Sequence, residues 1–466
     1  MSDSHEHPMK SLPDRADFRR LLRLAVPVVL AQVGLMAMNV VDVMIVGRVS
    51  AAALAGVAIG TVCVFAIGTF GMGVLTVLDP IVSQAVGARD ETAITRALQR
   101  GCLIACALGI LGALALLPVR NVLANIGQTP QLVEIAAPYA RIQALGLPAF
   151  FLTVAMRQTL VALGRMKPIV FTIIVSNVIN AILAWALVFG ELGAPRLGAF
   201  GAGLATTLVR WCMVGLLLGL AWRSLGPRLA ARVHALEWAP IRRMMLLGLP
   251  IALQYELEFG VFATVALIMG HLGAVAASAH QVAINIASLT FMVPLGVSSA
   301  ASVLVGRAVG AGDAAAARRA GLAGLGVGAG FMSVSALVLS LAPRLLARAY
   351  TPDPDVIGLA ATLIPIAGVF QVFDGIQVVS IGVLRGVGDT RTPLIVSLIG
   401  YWLIALPISL WLGFRAGWGP QGLWWGLVVG LILVAVLLLA RVRMRLWRRL
   451  ERLVIDDAPV AVQVAE

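Results

Sequence analysis

Long apolar blocks alternate with short polar or basic stretches along the whole chain. The blocks at 28–46, 104–117, 169–189 and 422–440 meet or approach the roughly 20 apolar residues that an α-helix needs to cross a bilayer core. Taken with their flanking charges, the blocks predict helices over 21–46, 52–80, 94–117, 131–160, 168–190, 199–222, 244–271, 275–305, 317–343, 354–384, 393–415 and 419–442. Twelve spans of this length describe a polytopic α-helical membrane protein.

Composition removes the soluble alternative. Of the 466 residues 60% are hydrophobic and 12% charged, whereas soluble domains carry about 25% charged residues. A net charge of +13 would point to nucleic acid in a soluble protein. In a membrane protein what matters is where the positive charges fall relative to the spans, and no nucleic-acid partner is expected. Arg48, Arg120, Arg196, Arg344, Arg348 and Arg415 fall on one side and Arg141, Arg157 and Arg210 within or at the edge of helices. All the other Lys and Arg residues fall on the side that holds both chain ends. By the positive-inside rule that side is the cytoplasm, and the expected location is the bacterial inner membrane. The first apolar block follows Arg15, Arg19, Arg20 and Arg23 and continues as a span, so no cleavable signal is expected. Cys63, Cys102, Cys106 and Cys212 all fall inside predicted helices and are expected to be apolar filler.

The chain also repeats itself. Ile45-Val46-Gly47 corresponds to Ile268-Met269-Gly270, and Ala85-Val86-Gly87-Ala88-Arg89-Asp90 to Ala308-Val309-Gly310-Ala311-Gly312-Asp313. The same spacing relates Pro27 to Pro250, each early in the first helix of its half. Gly164 to Pro168 matches Gly388 to Pro393 with one residue inserted, and Gly198 and Gly201 match Gly419 and Gly422. Six helices per repeat give both halves the same orientation, so the expected fold is two homologous six-helix lobes, 1–230 and 231–466, around a central cavity. The basic segment 223–243, with Pro227, Arg228, Arg232, His234 and Pro240, is the expected linker. Paired parallel lobes facing a cavity are an architecture for alternating access.

Acidic residues inside the apolar blocks are few: Asp42, Asp79, Glu256, Glu258 and Asp374. Each costs about 2.5–3.5 kcal/mol on insertion scales and is a functional candidate by default. Asp42 reads either as a carboxylate near the outer water interface or as a proton or cation site. Glu256 and Glu258 are two positions apart on one helix, roughly 200° around its axis, so only one of them points squarely into a cavity. Asp374 has Gln371 and Gln377 three positions to either side, which makes a polar stripe that is either functional or a structural hydrogen-bonding seam. Asp79-Pro80 reads equally as a site or as a helix kink. At the repeat spacing Asp42 corresponds to Val265 and Glu258 to Leu35, so these carboxylates are additions to a duplicated frame. No Walker loop, dinucleotide glycine pattern, zinc-spaced His/Cys group or nucleophile–base set is present. No cofactor is expected, and the driving energy would come from an ion gradient.

Six stretches together resemble the multidrug and toxic compound extrusion (MATE) transporters over nearly the whole chain. They are Val41-Asp42 with Gly47 and Ala51 to Ala55; Leu78-Asp79-Pro80 through Ser83-Gln84-Ala85-Val86-Gly87-Ala88; Gly198 to Ala205; Ala279-His280-Gln281-Val282-Ala283; Gly306-Arg307-Ala308-Val309-Gly310; and Leu384-Arg385-Gly386 to Pro393. The resemblance implies that Asp42, Glu258 (eight positions after Pro250) and Asp374 bind the coupling ion and the substrate cation. Asn177 and Asn180 fit the family's polar pattern, Asp79, His280 and Gln281 lie in the matching stretches, and Glu256, which has no counterpart in the family, joins Gln371 and Gln377 as a further supporting polar candidate. The resemblance also implies export of small cationic, lipophilic compounds in exchange for protons or sodium ions, with any sodium at Glu258 and Asp374. Two departures bear on coupling: Ala184 stands where the family often has Asn or Asp, and Phe370 where some members have a tyrosine implicated in sodium binding. A monomer in the lipid bilayer is expected.

Two other classes predict different residues. A lipid-linked oligosaccharide flippase of similar architecture would line its cavity with several Arg or Lys, whereas Arg157 and Arg210 are the main basic candidates within the spans. A membrane-embedded enzyme would need convergent His, Ser or metal ligands, and His280 is the one His clearly inside a span.

Overall fold

The computed structural model describes residues 12–231 and 237–456. Its spanning helices, numbered by span, are Arg15–Gly47 (α1), Ala51–Gly87 (α2), Glu91–Ala115 (α3), the bent pair Pro130–Ala144 and Leu147–Ala162 (α4), Met166–Phe189 (α5), Gly198–Leu220 (α6), Trp238–His271 (α7), Ala274–Gly310 (α8), Ala314–Leu341 (α9), Pro354–Gly386 (α10), Arg391–Arg415 (α11) and Gly419–Leu446 (α12). Short helices Val119–Asn125, Trp222–Ala230 and Pro343–Arg348 lie between them. In hydrocarbon every backbone polar group must bond within its own segment, which is why apolar blocks of this length form helices. Polar residues start them. Asp14 and Asp17 form a capping box at α1, Ser50 caps α2, and Asp353 caps α10.

Several helices run longer than their hydrophobicity predicts. The second was expected over 52–80 but continues to Gly87, because the polar Ser83 and Gln84 on its last turns are buried against the other half of the molecule, where a hydropathy pattern reads them as loop. The chain bends slightly earlier. Pro80 has no N–H to offer the Thr76 carbonyl, and the Asp79 N–H takes it instead at 3.0 Å. In α4 the two segments meet at 47°, with Pro148 just past the bend.

Helices α1–α6 and α7–α12 pack as two lobes. They touch mainly through α1 against α8, α2 against α7, and the end of α2 against α8. The contact at the basic end is reciprocal. A Cβ on Gly87 would collide with the Arg307 carbonyl, and one on Gly310 with the Gln84 carbonyl. In the repeat Gly87 corresponds to Gly310 and Gln84 to Arg307, so each lobe presses its glycine onto the equivalent backbone of the other, the signature of a two-fold relation. The adjoining turns match as well: Arg89 and Gly312 both adopt left-handed backbone, φ 58° and 73°, and Asp90 and Asp313 cap α3 and α9 through the N–H groups of Ala93 and Ala316 at 2.9 and 2.8 Å.

Gln84 crosses the seam, its Nε2 donating to the Gly386 carbonyl at 2.8 Å while its Oε1 accepts from the Leu453 N–H at 2.7 Å. The segment after α12 thus lies on the N-terminal lobe, where Arg452 pairs with Asp90 at 2.8 Å and Asp456 with the buried Arg100 at 2.6 Å. Of the expected linker, Arg232 and His234 lie outside the described residues, as do residues 1–11 and 457–466.

Candidate functional site

The C-terminal lobe brings Glu258 of α7 and Asp374 of α10 to one cavity. Its volume is about 500 Å³ and its walls come from both lobes. One carboxylate oxygen of Glu258, Oε1, collects three donors: Gln377 Nε2 at 2.8 Å, Gln254 Nε2 at 3.1 Å and Ser397 Oγ at 3.4 Å. Gln254 lies one turn before Glu258 on α7, the spacing that lets two side chains on a helix meet. Asp374 is half-buried, lies within Coulombic reach of Glu258, and has no hydrogen-bond partner among the described residues. Two like charges in a largely apolar enclosure repel strongly at low dielectric, so this pair is poised to take up positive charge. The walls are aromatic. Phe65 of α2 meets Phe259 of α7 across the lobes with ring centroids 5.3 Å apart, and Phe262 and Phe370 pack edge to face at 5.9 Å.

The N-terminal lobe has its own centre. Asp42 is buried and accepts hydrogen bonds from Asn180 Nδ2 at 2.6 Å and Thr206 Oγ1 at 3.1 Å. It lines a second cavity of about 400 Å³, where Arg210 supplies a positive charge within Coulombic reach. Phe65, Thr69, Met72, Arg157 and Ile169 line both cavities, so the two adjoin.

Toward the basic end, Asp79 of α2, Arg157 of α4 and Arg385 of α10 face the central cavity. Asp79 is buried with Oδ1 unpartnered. Arg385 stacks over Tyr255 at 5.2 Å, and Arg157 donates to Gln32 at 3.2 Å. Asp79-Pro80 is therefore both a kink and part of the cavity wall.

The remaining sequence candidates scatter. Glu256 points across the lobe seam and accepts from Thr69 Oγ1 at 2.5 Å, which leaves Glu258 as the member of the pair that lines the cavity. Gln371 turns away from Asp374: its Oε1 takes the Ser335 hydroxyl at 2.8 Å while its amide reaches Thr290 and the Ala287 carbonyl of α8. The polar stripe on α10 is therefore split, with Gln377 on the site and Gln371 in a structural seam. Asn177 bonds the Ile173 carbonyl of its own helix at 2.9 Å and does not reach Asp42. His280 is buried beside Trp424 at 5.6 Å, and Gln281 is exposed and bonds Asn285. Neither lines the cavities. Ala184, one turn after Asn180 on α5, is fully buried.

Sequence reasoning missed Gln254, Ser397, Tyr401 and Thr206. Tyr401 Oη donates to Gln377 Oε1 at 2.6 Å, so α11 contributes to the Glu258 site. The available signal was the Ser397 and Tyr401 pair, one turn apart in the apolar stretch 394–408 of that helix.

A duplicated six-helix frame, lobes joined at one end and a charged cavity between them define a two-lobed membrane-transporter fold. The MatE family model matches residues 27–186 and again 250–411, once in each half. The chain is 36% identical over 456 residues to a probable multidrug resistance protein NorM of Bradyrhizobium diazoefficiens, covering 96% of this chain and 98% of that one. It is 37% identical over 429 residues to the multidrug resistance protein NorM of Burkholderia vietnamiensis, covering 91% and 93%. Among solved structures it superposes on the eukaryotic MATE transporter AtDTX14 with TM-score 0.84 at 23% identity, over 92% of this chain and 96% of that one. It superposes equally, TM-score 0.84 at 18% identity, on an outward-facing multidrug resistance MATE family transporter of the MOP superfamily, over 96% and 99%. The chain belongs to the MatE family and is a multi-pass membrane transporter. The names of these relatives do not favour the flippase alternative.

Proposed function

We propose that this protein exports cationic, lipophilic organic compounds in exchange for protons, by alternating access between its two lobes. The observation that carries the reading is the pair of carboxylates, Glu258 and Asp374, inside an aromatic-walled cavity shared by both lobes. An ionised pair attracts an organic cation, and aromatic faces add cation–π attraction. A proton bound at the same pair removes that attraction, so the two ligands exclude one another, and exclusion at a single alternately exposed site is exchange. Protons are favoured over sodium because Phe370 supplies no oxygen, and a hard cation wants several oxygen ligands. In the arrangement described, the lobes are sealed at the basic end, so the cavity would load protons and release drug on the opposite face. By the positive-inside rule the basic end, with both chain ends, is cytoplasmic in a bacterial inner membrane, and the transporting unit is one chain.

The deciding experiment is efflux of a fluorescent organic cation from proteoliposomes, with pH and Na⁺ gradients imposed separately. Efflux should follow the pH gradient at fixed Na⁺. Flux indifferent to both gradients, or driven by sodium alone at clamped pH, overturns the coupling. No flux of any organic cation overturns the substrate class.

A further inference from the structure

Helix α11 is wound loosely over Leu398–Ala405 and again over Trp411–Arg415, where backbone bonds reach five residues back, as from Leu406 to Tyr401 and from Ala416 to Trp411. Such wide turns occur often at functional sites. The first carries Tyr401, which is buried with its ring near Phe262 at 6.3 Å. The next residue, Trp402, donates to the Leu257 carbonyl at 3.0 Å, which pins this turn of α11 beside Glu258. Tyr401 Oη donates to Gln377 Oε1 and Gln377 Nε2 donates to Glu258 Oε1, at 2.6 and 2.8 Å. A carboxamide held between an ionised carboxylate and a phenol has one good orientation: its NH₂ faces the acceptor and its carbonyl faces the O–H donor. The phenol therefore keeps the amide oxygen turned away from Glu258.

We propose that Tyr401 is a positioning residue that sets ion selectivity: by holding the Gln377 carbonyl away from Glu258, it denies the site an oxygen that a sodium ion needs, while a proton needs only the carboxylate oxygen that the donors to Glu258 do not occupy. This inference rests on the antiport reading of the same site. With Gln377 fixed, Gln254, Ser397 and Gln377 all present hydrogens to Glu258 Oε1. Sodium would meet the oxygens of Glu258 and Asp374 but not that of Gln377, too few for a hard cation. A proton needs only a carboxylate oxygen. The other ionisable groups facing Glu258 are Asp374 and Arg385 of α10 and Tyr401 itself. None of them supplies the missing neutral oxygen ligand. The tyrosine absent from α10 at position 370 is thus not replaced in function by Tyr401, whose hydroxyl hydrogen is directed at the amide.

The variant Tyr401→Phe removes the O–H and frees Gln377 to present its carbonyl. Equilibrium binding of ²²Na⁺ to purified protein, with potassium as competitor at constant pH, should show no saturable sodium site in the wild type. A saturable site should appear in Tyr401→Phe, with at least about tenfold more sodium bound than in the wild type at the same free concentration. The double variant Tyr401→Phe, Gln377→Leu should lose it again. A helix weakened by the loss of the phenol would not create a site that depends on Gln377. Saturable Na⁺ binding in the wild type that Glu258→Gln abolishes overturns the proposal, whatever the variants do. So does a folded Tyr401→Phe protein with no gain. These outcomes are read from binding, so they stand apart from failure to transport any organic cation, which would reject the antiport reading.

Discussion

The two lobes are alike where they touch and unlike where they carry charge. At the basic end Gly87 and Gly310 meet equivalent backbone on the opposite lobe, followed by matching turns and matching Asp caps. In the cavities the N-terminal lobe has Asp42, fixed by Asn180 and Thr206 with Arg210 nearby, and Asp79, with Arg385 and Arg157 in Coulombic reach. The C-terminal lobe has Glu258 and Asp374, with Asp374 held by no hydrogen bond among the described residues. The seam must close by shape, and a shape built from backbone is inherited intact by both copies of a duplication. Charge is free to diverge because a single side chain carries it. The Asp42 centre has one carboxylate beside one guanidinium, whereas the C-terminal centre has two carboxylates with one guanidinium, Arg385, in reach of Glu258, and would need a bound cation for balance.

The largest effect is expected from removing that need. The double variant Glu258→Gln, Asp374→Asn should insert normally, since fewer charges enter the membrane, yet its ion-driven efflux in proteoliposomes should fall to background. Wild-type efflux would place the coupling elsewhere.

Next comes the seam. Gly87→Ala and Gly310→Ala each force a methyl into backbone of the other lobe, and packed interfaces do not yield continuously. Both should bias the protein toward an open basic end by about tenfold in population. The readout is labelling of a cysteine placed at Ser83, buried in the closed seam, by a membrane-impermeant reagent. Unequal effects of the two variants would break the two-fold equivalence.

Asp42→Asn should slow efflux by about tenfold, the ~1.4 kcal/mol worth of a charge-assisted hydrogen bond, without abolishing it. A complete loss would make the lobes equal partners in coupling. Glu256→Gln should change efflux less than about twofold, because Glu256 faces Thr69 and not the cavity. A dead Glu256 variant beside an active Glu258 variant would reverse the assignment.

The smallest expected effect is at the caps. Asp90→Ala and Asp313→Ala should each cost about 1 kcal/mol in thermal unfolding. Asp90 differs in also pairing with Arg452. Partial burial pushes its carboxyl up, but the Ala93 N–H and the Arg452 guanidinium outweigh this and hold it below the ordinary value. A carboxyl lowered by folding stabilises above its unfolded value, about 3.9, and that contribution is lost as pH falls through the lower folded value. The wild type should therefore lose slightly more stability than Asp90→Ala on acidification from pH 5 to pH 3.

Much of this was legible along the chain. The number of spans, the repeat, and the five acidic residues inside the apolar blocks follow from hydropathy and spacing, because lipid tolerates only long apolar helices and penalises every charge placed in them, and the family resemblance singled out Asp42, Glu258 and Asp374. The direction of a glutamine was not legible. Gln371 and Gln377 lie at equal distances from Asp374 in sequence, yet the first joins the α8–α9–α10 seam and the second joins Glu258. Helix spacing sets the angle between side chains but not which neighbour fills each direction. The extra turns of α2 were hidden for a related reason, since Ser83 and Gln84 look like loop until another lobe buries them.

Apolar length, charge and repeat spacing are local properties of the chain, and they alone specify a duplicated, twelve-span membrane protein with five acidic residues in its apolar blocks. Helix packing settled which end of the lobes is sealed, that Glu256 leaves the cavity to Glu258, and that Tyr401 of α11 meets Gln377. Each of these depends on groups far apart in sequence meeting within hydrogen-bond range, and that meeting is set by how the helices pack.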